Sequence, residues 1–118
     1  MAAQTLNVHL KIWLADPEGR VVFGDGRMRL LEAIDRTGSI LQAAEMMGMS
    51  YRSAWGRLKQ TAERWGTPLI EPMPGAGRRG GSRLTAEGRR LLNQYKELVK
   101  RLDQAAQATF GQLFVIDD

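Results

Sequence analysis

An α+β domain is predicted, with a β-hairpin at its start, a three-helix centre, a second hairpin and a long last helix. Three observations predict it. Apolar residues alternate at period two from Leu6 to Leu14, the mark of a strand with one buried face. Two short amphipathic segments between Ser39 and Trp65 are joined by a glycine turn. A glycine-rich basic stretch then separates two short apolar runs, and a heptad-like pattern continues to Leu113.

Leu6, Val8, Leu10, Ile12 and Leu14 alternate with Asn7, His9, Lys11 and Trp13. Asp16-Pro17-Glu18-Gly19 is a turn signal, and Val21-Val22-Phe23 returns as the second strand, giving an N-terminal hairpin over 1–24. Gly24-Asp25-Gly26 ends it, with Asp25 placed to cap a first helix. Met28, Leu30, Leu31 and Ile34 recur at helical spacing, and Gly38 follows as a left-handed stop. Ser39 with Gln42 reads as a capping box for a second helix, whose inner face is Ile40, Ala43, Ala44 and Met47. The alanines let two helices cross steeply at short range. Gly48 ends that helix, Met49 plugs the turn and Ser50 caps the third helix.

On a helical wheel Ala54, Trp55, Leu58, Ala62 and Trp65 form the inward stripe of the third helix. Arg52, Ser53, Gly56, Arg57, Lys59 and Gln60 spread over the rest, and Tyr51 sits at the edge. The three-helix core spans 27–66 and the helix-turn-helix 39–65. Thr67-Pro68 closes the third helix, Leu69-Ile70-Glu71 is a short strand, and Arg83-Leu84 is its return. This hairpin over 68–84 has a basic tip and directly follows the third helix, which makes it a wing. The predicted architecture is a winged helix-turn-helix in a single domain over 1–118.

Thr85 caps the last helix, over 85–113, and Glu87 suits the dipole of its first turn. Leu91, Tyr95, Leu98 and Leu102 step by four and three, while Leu92, Val99, Ala106 and Leu113 form a parallel series. Two stripes are more than one domain needs to cover. Leu91, Leu92, Tyr95, Leu98, Val99 and Leu102 are therefore candidate dimerisation residues, and a homodimer is expected. No role is assigned to the tail at 114–118.

The 118 residues carry a net charge of +4, and 43% of them are hydrophobic. From Ser50 to Arg90 nine Lys/Arg face three acids, a local excess of +6, and the remainder carries −2. Such polarity is the footprint expected for phosphate binding. The absence of cysteine excludes disulfides and thiolate metal sites. No signal peptide or membrane span is read, so a cytoplasmic protein without a membrane partner is expected. One histidine, His9 on the polar face of the first strand, serves no catalytic set. No enzyme, catalytic residue, cofactor or metal is expected; Met46, Met47 and Met49 read as packing rather than soft-metal ligands.

A helix-turn-helix lays its second helix into the major groove of double-stranded DNA, N-terminal end first. Ser50, Tyr51, Arg52, Ser53, Gly56, Arg57 and Lys59 are its candidate DNA-binding residues. Arg52 has the planar fork for bidentate contact with guanine, Arg57 is read one turn further along the same side, and Lys59 as a phosphate contact. Gly56 lets the backbone lie close to the groove. Free N–H groups near Ser50 suit a phosphate. On the wing, Arg78, Arg79 and Arg83 reach for phosphate or minor groove. Two other readings stay open: a nonspecific architectural DNA binder, and a winged helix repurposed for protein interaction.

G-S-I-x-x-A-A-x-x-x-G-M-S-Y-R-S-A-W at 38–55, the glycine-rich basic segment at 75–82 and R-L-T-x-x-G at 83–88 together resemble one family. It is the N-terminal DNA-binding domain of ModE, the molybdate-responsive transcription regulator, and more distantly the LysR-type winged helix. The likeness covers about 26–102. It implies a winged-helix dimer on operator DNA, with Tyr51, Arg52, Ser53 and Arg57 at the groove and 78–83 on the wing. ModE carries C-terminal molybdate-binding modules for which the sequence to Asp118 leaves no room, so direct molybdate binding is not expected.

Overall fold

The computed structural model describes residues 6–74 and 81–114. In chain order the elements are β1 (Leu14–Ala15), β2 (Val21–Phe23), α1 (Asp25–Thr37), α2 (Ile40–Met46), α3 (Tyr51–Trp65), β3 (Ile70–Pro72), β4 (Ser82–Leu84) and α4 (Ala86–Leu113). β1 pairs with β2 and β3 with β4, both antiparallel.

The first hairpin is shorter than its alternation predicts. Only Leu14 and Ala15 pair, opposite Phe23 and Val21. β2 is three residues long and runs directly into α1, so residues 6–13 find no strand to join. Their backbone instead lies along α4, where the Tyr95 hydroxyl donates to the Ile12 carbonyl at 2.7 Å and Gln107 Nε2 to that of Val8 at 3.1 Å. Val8 and Ile12 are half-buried there, whereas Leu6 and Leu10 are exposed. The Asp16 carboxylate closes the turn by accepting the N–H groups of Glu18 and Arg20, each at 2.9 Å.

Helix ends are set locally. Asp25 is not the cap of α1: that position belongs to Gly24, which has no side chain to offer. Asp25 is the first helical residue, where its charge favours the dipole and pairs with Arg29 at 3.0 Å. Gly38 stops α1 at φ 70°. Ser39 accepts from the Gln42 N–H at 3.1 Å, but the reciprocal half of the box is absent because the Ser39 N–H donates to Thr37 Oγ1 at 3.2 Å. Ser50 accepts from the Ser53 N–H at 3.0 Å. Gly66, at φ 109°, stops α3 before Thr67-Pro68 is reached.

Two apolar clusters hold the elements together. Leu30, Ala33, Ile34, Ala43, Ala44 and Ala54 join α1, α2 and α3, with Met47 and Met49 packed against them. Phe23, Leu31, Leu69, Leu84, Leu91, Leu92 and Tyr95 join both hairpins to α4. Phe23 and Tyr95 meet edge to face at 5.1 Å, a favoured aromatic geometry. Burial, and then the charge of Asp25, push the Tyr95 hydroxyl above its ordinary pKa.

Leu91, Leu92 and Tyr95 therefore fill this chain's own core and cannot meet a partner. Along the rest of α4, Leu98 and Leu102 are exposed and Val99 is half-buried. The helix runs 28 residues, about 42 Å at ~1.5 Å per residue. Beyond Leu102 only Ala106 and Phe110 are shielded from full exposure as far as Leu113. Among the described residues no helix is long and apolar enough to cross a membrane.

The start of α4 is tied at close quarters to the segment that leads into β3. Thr85 caps the Gly88 N–H at 3.0 Å, its hydroxyl donates to Pro68 O at 2.9 Å, and its N–H donates to Leu69 O at 2.9 Å. A Cβ at Gly88 would stand 2.2 Å from Leu69 O. That atom is backbone and cannot swing aside. Gly88→Ala is expected to lose about 1–3 kcal/mol of stability through overpacking, read as a lowered urea midpoint; an unchanged midpoint contradicts the close approach.

Candidate nucleic-acid interface

α3 turns Ala54 and Thr61 fully inward, with Leu58, Ala62 and Trp65 half-buried. Tyr51, Arg52, Ser53, Trp55, Gly56, Arg57, Lys59 and Gln60 are exposed. Trp55 is thus not in the buried stripe; it is 48% exposed. Thr61 takes the inward place. A wheel weighted by hydrophobicity favours an indole over a hydroxyl, but the Thr61 hydroxyl is satisfied where it lies. It donates to Arg57 O at 2.8 Å and accepts from Arg27 Nε at 2.8 Å, so its burial carries no orphaned polar group.

The two arginines expected on one side of α3 stand apart. Five positions separate them, which at ~100° per residue is about 140° around the axis. Arg52 is on the outermost face beside Gly56, where an added Cβ would meet nothing within 4 Å. Arg57 is on the flank toward α1, where with Arg27 and Thr61 it lines a small crevice. Neither guanidinium has an ion pair or hydrogen-bond acceptor among the described residues.

That flank holds a charge cluster which counting along the chain missed. Arg27 Nη2 donates to Gln60 Oε1 at 2.6 Å, and Arg64 Nη1 to Val21 O at 2.6 Å. Every acceptor holding Arg27 and Arg64 is neutral. Burial, and then repulsion from Arg57 and Arg64, lower the Arg27 pKa below its ordinary value, though a guanidinium remains charged in proteins. The sequence count assigned Arg27 to the acidic remainder; folding brings α1 back beside α3.

Other cations of the basic stretch are neutralised. Arg89 pairs with Asp35 at 2.6 Å and Arg90 with Glu87 at 2.5 Å. Hydrogen bonds from Arg90 and Trp65 hold the Glu87 carboxyl below the usual carboxylate range. On the wing, Arg83 pairs with Glu71 across the β3–β4 ladder at 3.0 Å. Arg78 and Arg79 lie outside the described residues. Positive charge without an internal counter-ion therefore gathers on α3 and the adjoining edge of α1. Between α3 and the wing runs a groove of about 410 Å³, lined among others by Tyr51, Trp55, Lys59, Ile70, Pro72 and Ser82.

Residues 26–89 match the bacterial regulatory helix-turn-helix proteins of the lysR family. The molybdenum transport protein ModE of Azotobacter vinelandii is 37% identical over 83 residues, 70% of this chain and 31% of that protein. The transcriptional regulator ModE of Haemophilus influenzae is 40% identical over 80 residues, 68% of this chain and 31% of its own length. The chain spans about a third of the length of the curated relatives it matches. Among solved structures, the CbnR DBD–DNA complex superposes with a TM-score of 0.56 at 16% identity, over 74% of this chain and 94% of that one. The BenM DBD/benA site 1 DNA complex gives 0.52 at 20% identity, over 70% and 88%. Both carry the same winged helix-turn-helix fold.

The Arg27–Thr61 bond has a direct test in stability. Thr61→Val keeps the shape but removes the acceptor of a partly buried guanidinium N–H, at an expected cost of about 1–3 kcal/mol. Thr61→Ser should recover most of it. Equal urea midpoints for wild type and Thr61→Val would remove the bond from the account.

Proposed function

The chain belongs to the lysR family of bacterial regulatory helix-turn-helix proteins, and from that premise we propose that it is a sequence-specific transcription regulator of the ModE type. The observation that carries this reading is the outer face of α3. A serine-capped helix presents guanidinium and ammonium groups that the described parts of the protein do not neutralise. DNA phosphates and guanine edges are the partners such groups fit.

Roles follow from position. Arg52, near the N-terminal end of α3, is the bidentate reader of guanine O6 and N7. Ser53 bonds a base edge or a phosphate, and the N–H groups around Ser50 face the backbone. Gly56 leaves the groove wall unobstructed. Arg57, supported by Arg27, holds the phosphate chain along the α1 flank, and Lys59 holds it nearer the wing. Arg78 and Arg79 extend the wing's reach. Arg83 contributes there by exchanging Glu71 for a phosphate. No catalytic step is assigned, and the compartment is that of bacterial DNA, the cytoplasm.

We further propose a homodimer through α4, whose exposed Leu98 and Leu102 and half-buried Val99 continue the apolar stripe past the domain's own core. Two-fold pairing would match the two half-sites that dimeric helix-turn-helix regulators bind.

Selection of duplexes from a random pool by the purified protein tests the reading. Enrichment of one motif supports it; equal retention of all sequences indicates an architectural binder, and no retention at moderate salt a protein-interaction module. Two substitutions divide the labour. Arg52→Ala should lose about 1–3 kcal/mol of affinity and relax preference at one base position. Arg57→Ala should weaken all sequences alike and reduce the salt slope by about one. Identical behaviour of the two contradicts the division. Leu102→Asp should sediment as a monomer with its helix content retained; a wild-type protein that is already monomeric at micromolar concentration removes the dimer.

A further inference from the structure

Trp55 has no part in the roles above, and its surroundings set it apart from the other tryptophan of the same helix. Trp65 is half-buried and its Nε1–H donates to Glu87 at 3.1 Å. Trp55 is 48% exposed on α3, and Tyr51, one turn earlier on the same edge, is 50% exposed. Residues four apart on a helix are neighbours on its surface, so the two rings form one apolar strip. Lys59, a further turn along, brings Nζ to 5.2 Å from the Trp55 ring centroid. This cation–π contact engages the ring and sets an ammonium group beside it. The next residue, Gly56, has no side chain to shield the indole.

We propose that Trp55, with Tyr51, is a specificity-determining side chain that reads the C5-methyl group of a thymine in the major groove. The proposal rests on the DNA-binding reading. Phosphates and guanine edges want the guanidinium groups; the chief apolar feature of the major groove is the thymine methyl. An apolar ring belongs against it. Lys59 then stands where a phosphate can replace water around its charge. The strip borders the outer face that carries Arg52 and Gly56, so a helix seated by Arg52 brings the indole edge to the adjoining bases.

The test uses the whole chain and the DNA it selects. Each thymine of the selected duplex is replaced in turn by deoxyuridine, which removes only the methyl group. With the wild-type protein, one thymine should lose about fourfold in affinity when so replaced, the effect of one buried methyl. With Trp55→Ala that replacement should be neutral, while the preference set by Arg52 persists. Trp55→Ala should melt as the wild type does, because the ring is not part of the core. If every deoxyuridine is neutral in the wild type, or the same thymine still counts in Trp55→Ala, the proposal is overturned and the DNA reading stands. The indole would then serve something else, such as a protein contact. If the wild type selects no duplex, the DNA reading itself falls and this proposal with it.

Discussion

The structure depends on how closely three helices can approach. Ala43, Ala44 and Ala54 are fully buried where α1, α2 and α3 meet. Methyl side chains at those positions allow a separation that larger ones would forbid, and cores are close-packed enough for one extra methylene to be felt. The turn between α2 and α3 is held just as tightly. Gly48 adopts φ 68° and the Met49 N–H reaches back to Ala44 O at 3.0 Å. Ala54 is the contact that sets the rotation of α3 about its axis. With that rotation fixed, every other residue of the helix has its direction: Thr61 inward, Arg52 outward, Arg57 toward α1, Trp55 toward the wing.

That rotation separates what the sequence discloses from what it hides. Caps and stops were legible because they are local. Ser39, Ser50 and Thr85 each accept from an N–H three residues on, and Gly38 and Gly48 carry positive φ. Hydrophobic periodicity was legible in α2 for the same reason. Positions decided by contacts distant in sequence were not. Trp55 and Thr61 exchange places because Arg27, thirty-four positions from Thr61, supplies the bond that lets a hydroxyl be buried. The alternation from Leu6 is present, yet only Leu14 of it pairs with a strand, and Val8 and Ile12 lie against α4 instead. Leu91, Leu92 and Tyr95 share the spacing of Leu98 and Leu102, and spacing alone does not say which turns already have cover.

Charge illustrates the same divide. A count along the chain treats Arg89 and Arg90 as equal to Arg52 and Arg57. Folding sets the first two against Asp35 and Glu87, where exposed pairs add little to stability but cancel the local field. It leaves the latter two without carboxylates among the described residues, keeps Arg64 on a carbonyl oxygen and adds Arg27, held by amide and hydroxyl oxygens. Neutral acceptors orient a guanidinium without discharging it. The resulting field is sharper than the sequence excess of bases suggests, and it lies on the helix that also has the open outer face.

The same contacts bear on how two copies would address DNA. Trp65 bonds to Glu87, Thr85 to Pro68 and Leu69, and Gly88 sits against the Leu69 carbonyl. These join the end of α3 to the start of α4 directly, through backbone and side-chain contacts. The angle between the two helices is therefore a property of the domain rather than of its partner. Residues 8–12, strapped along α4 by Tyr95 and Gln107, stiffen the helix beyond its core contacts. In a dimer joined through the later turns of α4, the spacing of the two α3 helices follows from this rigid joint. Substitutions at the joint would then alter half-site spacing while leaving untouched a base preference set by Arg52, which lies on the exposed outer side of α3.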